Sequence, residues 1–122
     1  MKIRHKIILT GAIVVLSVVI FSLIDAEYVS FYKVSTGSMS PAFEVGDIVL
    51  LDKEIAFDDL QVGDVIVFER PKDESRIIIS RIVDIDYTET GKVITTKGDA
   101  NPSSIPGTNF PIIQDNFIGK VM

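Results

Sequence analysis

The chain has 122 residues, a formal net charge of −5, one histidine and no cysteine. That length allows one domain with a small appendage. The missing cysteine excludes disulfides, thiolate metal sites and a cysteine nucleophile, including any sortase-like transpeptidase.

From Ile7 to Ile24 the chain reads "IILTGAIVVLSVVIFSLI", eighteen residues without a charge. As a helix rising 1.5 Å per residue this run would span roughly 27 Å, close to the hydrocarbon thickness of a bilayer. A buried soluble helix would show a polar stripe, and here only Thr10, Gly11, Ser17 and Ser22 interrupt the apolar residues. Lys2, Arg4 and Lys6 precede the run, whereas Asp25 and Glu27 follow it. Basic flanks stay on the cytoplasmic side. The predicted organisation is a cytoplasmic flank over 1–6, a single transmembrane helix over 7–24 and an extracytoplasmic β domain over 25–122. A cleaved secretory signal would share the basic start, but the apolar run exceeds a typical signal core. "SLIDAEY" also lacks a clean small-x-small cleavage site. Residues 1–24 carry +3 and residues 25–122 carry −8, and such an acidic outer domain argues against nucleic acid as partner. His5 precedes the apolar run, so the outer domain has no histidine of its own for chemistry.

Beyond the apolar run, strand signals dominate. "YVSFYKVS" (28–35), "DIVLLDK" (47–53), "DVIVFER" (64–70), "RIIISRIVDIDY" (76–87), "KVITTK" (92–97) and "NFIGKVM" (116–122) are rich in β-branched and aromatic residues. "VGDIVLL" (45–51) and "VGDVIVF" (62–68) resemble one another. Each Gly-Asp is expected to turn the chain into a strand, its aspartate bonding nearby backbone N–H groups. "EIAFDDLQ" predicts a short helical turn, and the proline-rich "NPSSIPGTNFP" (101–111) predicts a surface loop. The fold class expected is mainly β, an antiparallel domain preceded by one helix.

The stretch "STGSMSP" (35–41) carries more special residues than a connector needs. Serine attacks a carbonyl only when a neighbour takes its proton and donors stabilise the oxyanion. In a tight Thr36-Gly37-Ser38 turn, glycine admits the substrate carbonyl, the Ser38 N–H can point at the oxyanion and Thr36 offers a second donor. Pro41 would fix the exit. Composition alone fits an ordinary Ser/Gly/Pro turn equally well.

The order of motifs decides between these. "TGSMSP" soon after an apolar N-terminal run, then "GD", "SRIV" and "TKGDAN", resembles the type I signal peptidases of the archaeal and endoplasmic-reticulum kind over residues 5–122. The resemblance implies a membrane-anchored serine endopeptidase that removes signal peptides from exported precursors, on a β-sheet fold. It implies Ser38 as nucleophile, Thr36 as oxyanion donor, and Gly37, Met39 and Pro41 as the shaped active-site turn. Ser38 lies fourteen residues beyond Ile24, so the site can sit near the outer membrane face. A precursor's extended tail would be captured there as an added β-strand, with small pockets selecting residues such as alanine. Precursors, membrane lipid and accessory membrane subunits are the implied partners. No cofactor is implied, since the outer domain lacks histidine, cysteine and an ordered carboxylate ligand loop.

The chain departs from that pattern at the base. The family places its general-base histidine (lysine in bacterial relatives) immediately before the arginine of the "RIV" strand. Here Ser80 stands at that position, followed by Arg81. A neutral hydroxyl has far too high a pKa to serve as a base near neutrality. Asp99 is retained in "TKGDAN", while Ser103-Ser104-Ile105 stands where archaeal relatives often carry a further acid. Three readings follow: Lys97 substitutes as base, a water-mediated Ser80–Asp99 arrangement supports slow turnover, or the chain binds precursors without cutting them. Arg81 is expected to pair with a carboxylate rather than take part in chemistry. A more distant alternative is a self-cleaving serine–lysine protein related to the SOS-response repressors.

Overall fold

Short β-branched runs separated by Gly-Asp turns build a six-stranded sheet in the computed structural model, which describes residues 10–17 and 29–122. The strands are β1 (Val29–Lys33), β2 (Ile48–Asp52), β3 (Val65–Glu69), β4 (Ile77–Thr88), β5 (Gly91–Lys97) and β6 (Phe117–Val121). Their order across the sheet is β1-β2-β6-β3-β4-β5, and every neighbouring pair is antiparallel. Each strand falls within a predicted run or one residue beyond it.

The two Gly-Asp boxes fold alike. Gly46 and Gly63 take φ of 94° and 98°, a left-handed conformation that glycine adopts without a Cβ penalty. Asp47 Oδ2 accepts the Glu44 N–H at 2.9 Å, and Asp64 Oδ2 accepts the Gln61 N–H at the same distance. These are the aspartate–backbone bonds the sequence led us to expect.

Two apolar clusters pack on opposite faces of the sheet. Val34, Met39, Val49, Leu51, Val65, Val67 and Ile79 form the first. Phe57, Leu60, Ile66, Phe68, Ile82, Ile94 and Ile112 form the second. The central strand β3 feeds both, which is why its sequence reads as an unbroken apolar run rather than an alternation. A 3-10 turn at Phe57–Asp59 and the segment 98–113 cover the second cluster. The latter contains the predicted proline-rich loop, 101–111, though not all of that loop faces solvent. Ile112 exchanges both backbone bonds with Ile94, and the Thr96 N–H donates to Asn109 O at 2.9 Å.

Residues 10–17 are helical, with Ile13, Val14, Val15 and Leu16 exposed. Among the described residues no helix is long and apolar enough to cross a membrane. Apart from 10–17, the predicted flank 1–6 and span 7–24 lie outside the described residues.

Candidate active site

The turn after β1 alternates between core and surface. Val34 and Met39 are buried in the first apolar cluster, while Ser38, between Gly37 and Met39, reaches the surface. With Met39 anchored, the Ser40 N–H donates to Gly37 O at 3.1 Å and the Phe43 N–H to Met39 O at 2.9 Å. Ser40 Oγ donates to Glu44 Oε1 at 2.9 Å, and Pro41 carries the chain onward. Thr36 Oγ1 and Ser38 Oγ share a hydrogen bond of 3.2 Å. Among the described residues the Ser38 N–H has no hydrogen-bond acceptor, so it is available to a ligand oxygen.

The "TKGDAN" segment folds directly over this turn. The Ala100 N–H donates to Ser38 O at 2.9 Å. A Cβ on Gly98 would lie 2.7 Å from Ser38 O and 3.1 Å from Ser38 Cβ, so only glycine permits this approach. The glycine of this box is therefore needed by the distant serine turn.

Ser38 opens onto a cleft of about 240 Å³. Its walls include Tyr32, Thr36, Ile77, Ile79, Ser80 and Asn109, so Ser38 and Ser80 share one cavity. Among the lining residues Tyr32 alone carries a titratable side chain, and its hydroxyl donates a long 3.4 Å bond to Ile77 O. One wall is an unpaired strand edge. β4 pairs with β3 from Ile77 to Arg81 but meets β5 only from Arg81 onward. The Ile82 N–H bonds Asp64 O, and Arg76 O accepts the Arg70 N–H, so even-numbered residues of β4 face β3. The alternation of an antiparallel ladder then turns the N–H and C=O of Ile77 and Ile79 to the open side.

Around Ser80 the site is buried and neutral. Ser80 is 1 % exposed, and its Oγ accepts a 3.3 Å bond from Asn109 Nδ2. The same amide nitrogen donates to Thr96 Oγ1 at 3.1 Å, and Asn109 Oδ1 accepts the Ile105 N–H at 2.8 Å. Ser104 Oγ completes the network by donating to Thr96 O at 2.6 Å. Asn109 escaped the sequence reading because nothing in its local context marks it, and Thr96 was noticed only as the first residue of the "TKGDAN" box, with no role assigned.

The remaining candidates point elsewhere. Asp99 Oδ1 and Oδ2 accept from Arg81 Nε and Nη2, both at 2.9 Å, and Arg81 Nη1 donates to Gly63 O at 2.9 Å. The hydrogen-bonded guanidinium holds the Asp99 carboxyl below the usual carboxylate range, and the same contact raises Arg81. Lys97 Nζ donates to Gly98 O at 3.0 Å and to Asn101 O at 2.7 Å. Neither Asp99 nor Lys97 lines the cleft. Among the described residues no group of acidic or histidine side chains is placed to hold a metal ion.

This geometry meets known proteins in two comparisons. The family model described as signal peptidase, peptidase S26, matches residues 6–100. Signal peptidase I W of Bacillus subtilis (strain 168) is 33% identical over 84 residues, which is 69% of this chain and 42% of that protein. The chain thus spans less than half the length of that relative.

Proposed function

The chain belongs to the signal peptidase family, peptidase S26, and on that premise we propose that it is a membrane-anchored serine endopeptidase that engages the extended tail of exported precursors. The observation that carries the reading is the shared cleft, where, among the described residues, a serine whose N–H has no acceptor meets an edge of β4 that has no strand partner. An extended peptide laid on Ile77 and Ile79 would gain main-chain hydrogen bonds and run past Ser38. Ser38 Oγ would then attack the scissile carbonyl, and the developing oxyanion would meet the Ser38 N–H with Thr36 beside it. Collapse of the tetrahedral species breaks the C–N bond, and the proton lost by Ser38 must reach the departing amine. We assign the chain to the archaeal and endoplasmic-reticulum branch on "TGSMSP" and "TKGDAN", with Ser80 as its departure. The charge-free run at 7–24 and the exposed apolar helix at 10–17 support a single anchor with a cytoplasmic N-terminus and an outer domain over 25–122.

A second reading, a homologue that binds precursors or partner subunits without cutting, is favoured by one observation. Ser80 is buried in a hydroxyl–amide network that contains no group able to accept a proton near neutrality. Both readings use the same groove and differ only in turnover. Full-length protein in detergent, incubated with a precursor bearing an Ala-x-Ala site, separates them. Release of the mature fragment supports the peptidase. Retention of intact precursor on the protein, without a fragment, supports the binding module. Neither release nor retention would sink both.

A further inference from the structure

One main-chain group on the open edge of β4 is already engaged. Three strands, β2, β6 and β3, separate β1 from β4 across the sheet. Yet Tyr32 Oη, from β1, donates to Ile77 O, from β4, at 3.4 Å. The sheet therefore curls over its first apolar cluster until its β1 side returns to the β4 edge. Packing sets the phenol ring in place. Tyr32 stands opposite Val49 in the β1–β2 ladder and packs, half-buried, against the cluster that holds Val34, Val49, Val67 and Ile79. Such a ring places its apolar body in the core and its hydroxyl on a partner. The partner here is one of the groups a peptide strand would need. Ile77 and Ile79 turn their N–H and C=O groups to the open side, an alternation set by the β3 bonds, and the Tyr32 contact lies on that same side. Of those four groups, Ile77 O alone has a partner among the described residues.

We propose that Tyr32 is a specificity-determining residue: its hydroxyl straps the two cleft walls together at Ile77 O and cancels the main-chain contact a bound peptide would make there. The proposal rests on the peptide-groove reading above. The β4 stretch that lines the cleft runs from Ile77 to Ser80, about 10 Å at 3.3 Å per residue. Ile77, under the strap, marks one end of that stretch and Ser80 the other. A ligand strand can pair with Ile79 N–H, Ile79 O and Ile77 N–H, and it meets the strap at the fourth group. Whichever way the ligand runs, one of its N–H groups falls opposite Ile79 O and another, two residues along, opposite Ile77 O. The first N–H contributes a hydrogen bond. The second finds its acceptor taken and contributes little. The substrate class that follows is a precursor tail that tolerates a residue without an N–H, proline above all, at the strap position. Opposite Ile79 O the same residue is disfavoured. A phenylalanine at position 32 would pack alike but would lack this selectivity.

Tyr32→Phe removes the hydroxyl and keeps the ring. Both versions are prepared full-length in detergent in a Ser38→Ala background, so that bound peptide is not consumed. The probe is a fluorescently labelled synthetic tail with an Ala-x-Ala site, in a series carrying one backbone N-methyl group at successive positions. Fluorescence anisotropy reads Kd for each member. With Tyr32 present, N-methylation opposite Ile79 O should weaken binding about two- to tenfold, the worth of one net hydrogen bond. Tyr32→Phe should keep that loss and add one of similar size two residues along, where the Ile77 carbonyl has become available. Identical profiles for the two versions overturn the strap, whether because Ile77 O accepts phenol and ligand together or because the tail never meets it. An added sensitive position at any other spacing overturns it too. Either result leaves the groove reading in place. If neither version retains any member of the series, the groove reading and this inference fall together.

Discussion

Ser38 sits on a turn whose hydroxyl partner, Thr36, is two residues away, whereas Ser80 sits in a strand and is bonded to a side chain twenty-nine residues away. The first is partly exposed, its N–H without an acceptor among the described residues, and the second is sealed beside Thr96 and Asn109. The two walls of the cleft therefore solve different problems. The turn presents a partly exposed hydroxyl, the nucleophile of the proposed reading. Around Ser80 the strand wall is buried and its side-chain polar atoms are satisfied internally, which stabilises the fold but leaves no lone pair of suitable basicity for a proton. A nucleophile can be preserved by a short local motif, while a base depends on an environment gathered from distant residues and is altered by any one of them.

The largest effect tests the turn. In whichever background cleaves precursor, Ser38→Ala should remove turnover, a loss that reaches about 10⁶-fold in kcat where a full triad operates. Thr36→Val should be milder, at most the loss of about 10²–10³ that follows removal of one strong oxyanion donor. Quantifying mature product by gel decides it. Undiminished cleavage by Ser38→Ala would place the nucleophile elsewhere and erase the contrast between the walls.

Much of the fold could be read directly from the residues. The strands follow from β-branched runs, and both Gly-Asp turns adopt the expected aspartate–backbone bonds because that chemistry is local. Arg81, expected as a strand residue to pair with a carboxylate, pairs with Asp99. The insertion of β6 between β2 and β3 was not legible, since pairing partners far apart in sequence leave no periodic signature. Buried Lys92 was equally hidden. Its ammonium donates to the carbonyls of Phe57, Asp58 and Leu60, and it holds the turn that covers the second cluster. In the site, the Ser38 box was visible as a motif, but Asn109 lies beyond the residues the family model matches and declares itself only through its contact with Ser80.

A smaller effect tests the strand wall. Ser80→His places an imidazole at the cleft, with an unperturbed pKa near 6.5 suited to a base. A positioned base contributes about 10²–10⁴-fold, and Ser80→His should gain part of that in precursor cleavage. The group poised to orient the ring is residue 109, since Asn109 already reaches the residue 80 side chain. Ser80→His/Asn109→Asp should therefore exceed Ser80→His alone, as a buried carboxylate stabilises the imidazolium. Lys97→Met should leave either gain intact, because the ammonium is tied to the backbone carbonyls of Gly98 and Asn101 and Lys97 itself does not line the cleft. If wild type is robustly active and Lys97→Met silences it, the proton goes to Lys97 and the neutral wall is irrelevant to turnover.

The smallest effect concerns Asp99, which pairs with Arg81 outside the cleft. Its carboxyl is held below the usual range first by the Arg81 hydrogen bonds, which outweigh the opposing effect of burial, with the charges of Arg81 and Lys97 adding less. A carboxyl whose folded pKa is depressed adds stability above its unfolded value, near 3.9, and loses it as pH falls through the folded value. Arg81, whose pKa is raised, stays charged throughout that window. Asp99→Asn should therefore be less stable than wild type at pH 7, with the gap closing as the medium is taken below about pH 4. Because the pair is partly exposed, with side chains 35% and 24% accessible, the difference should be about 1 kcal/mol or less. For a domain of this size that corresponds to a few degrees in Tm, on the order of 4–8 °C per kcal/mol. Thermal unfolding of both proteins from pH 7 downwards measures it. A gap that persists unchanged at low pH would mean the contact is steric rather than ionic. Loss of cleavage in Ser80→His/Asp99→Asn with stability unaltered would instead give Asp99 a part in orienting the base, and the division between an acid that braces the sheet and an amide that faces the cleft would have to be redrawn.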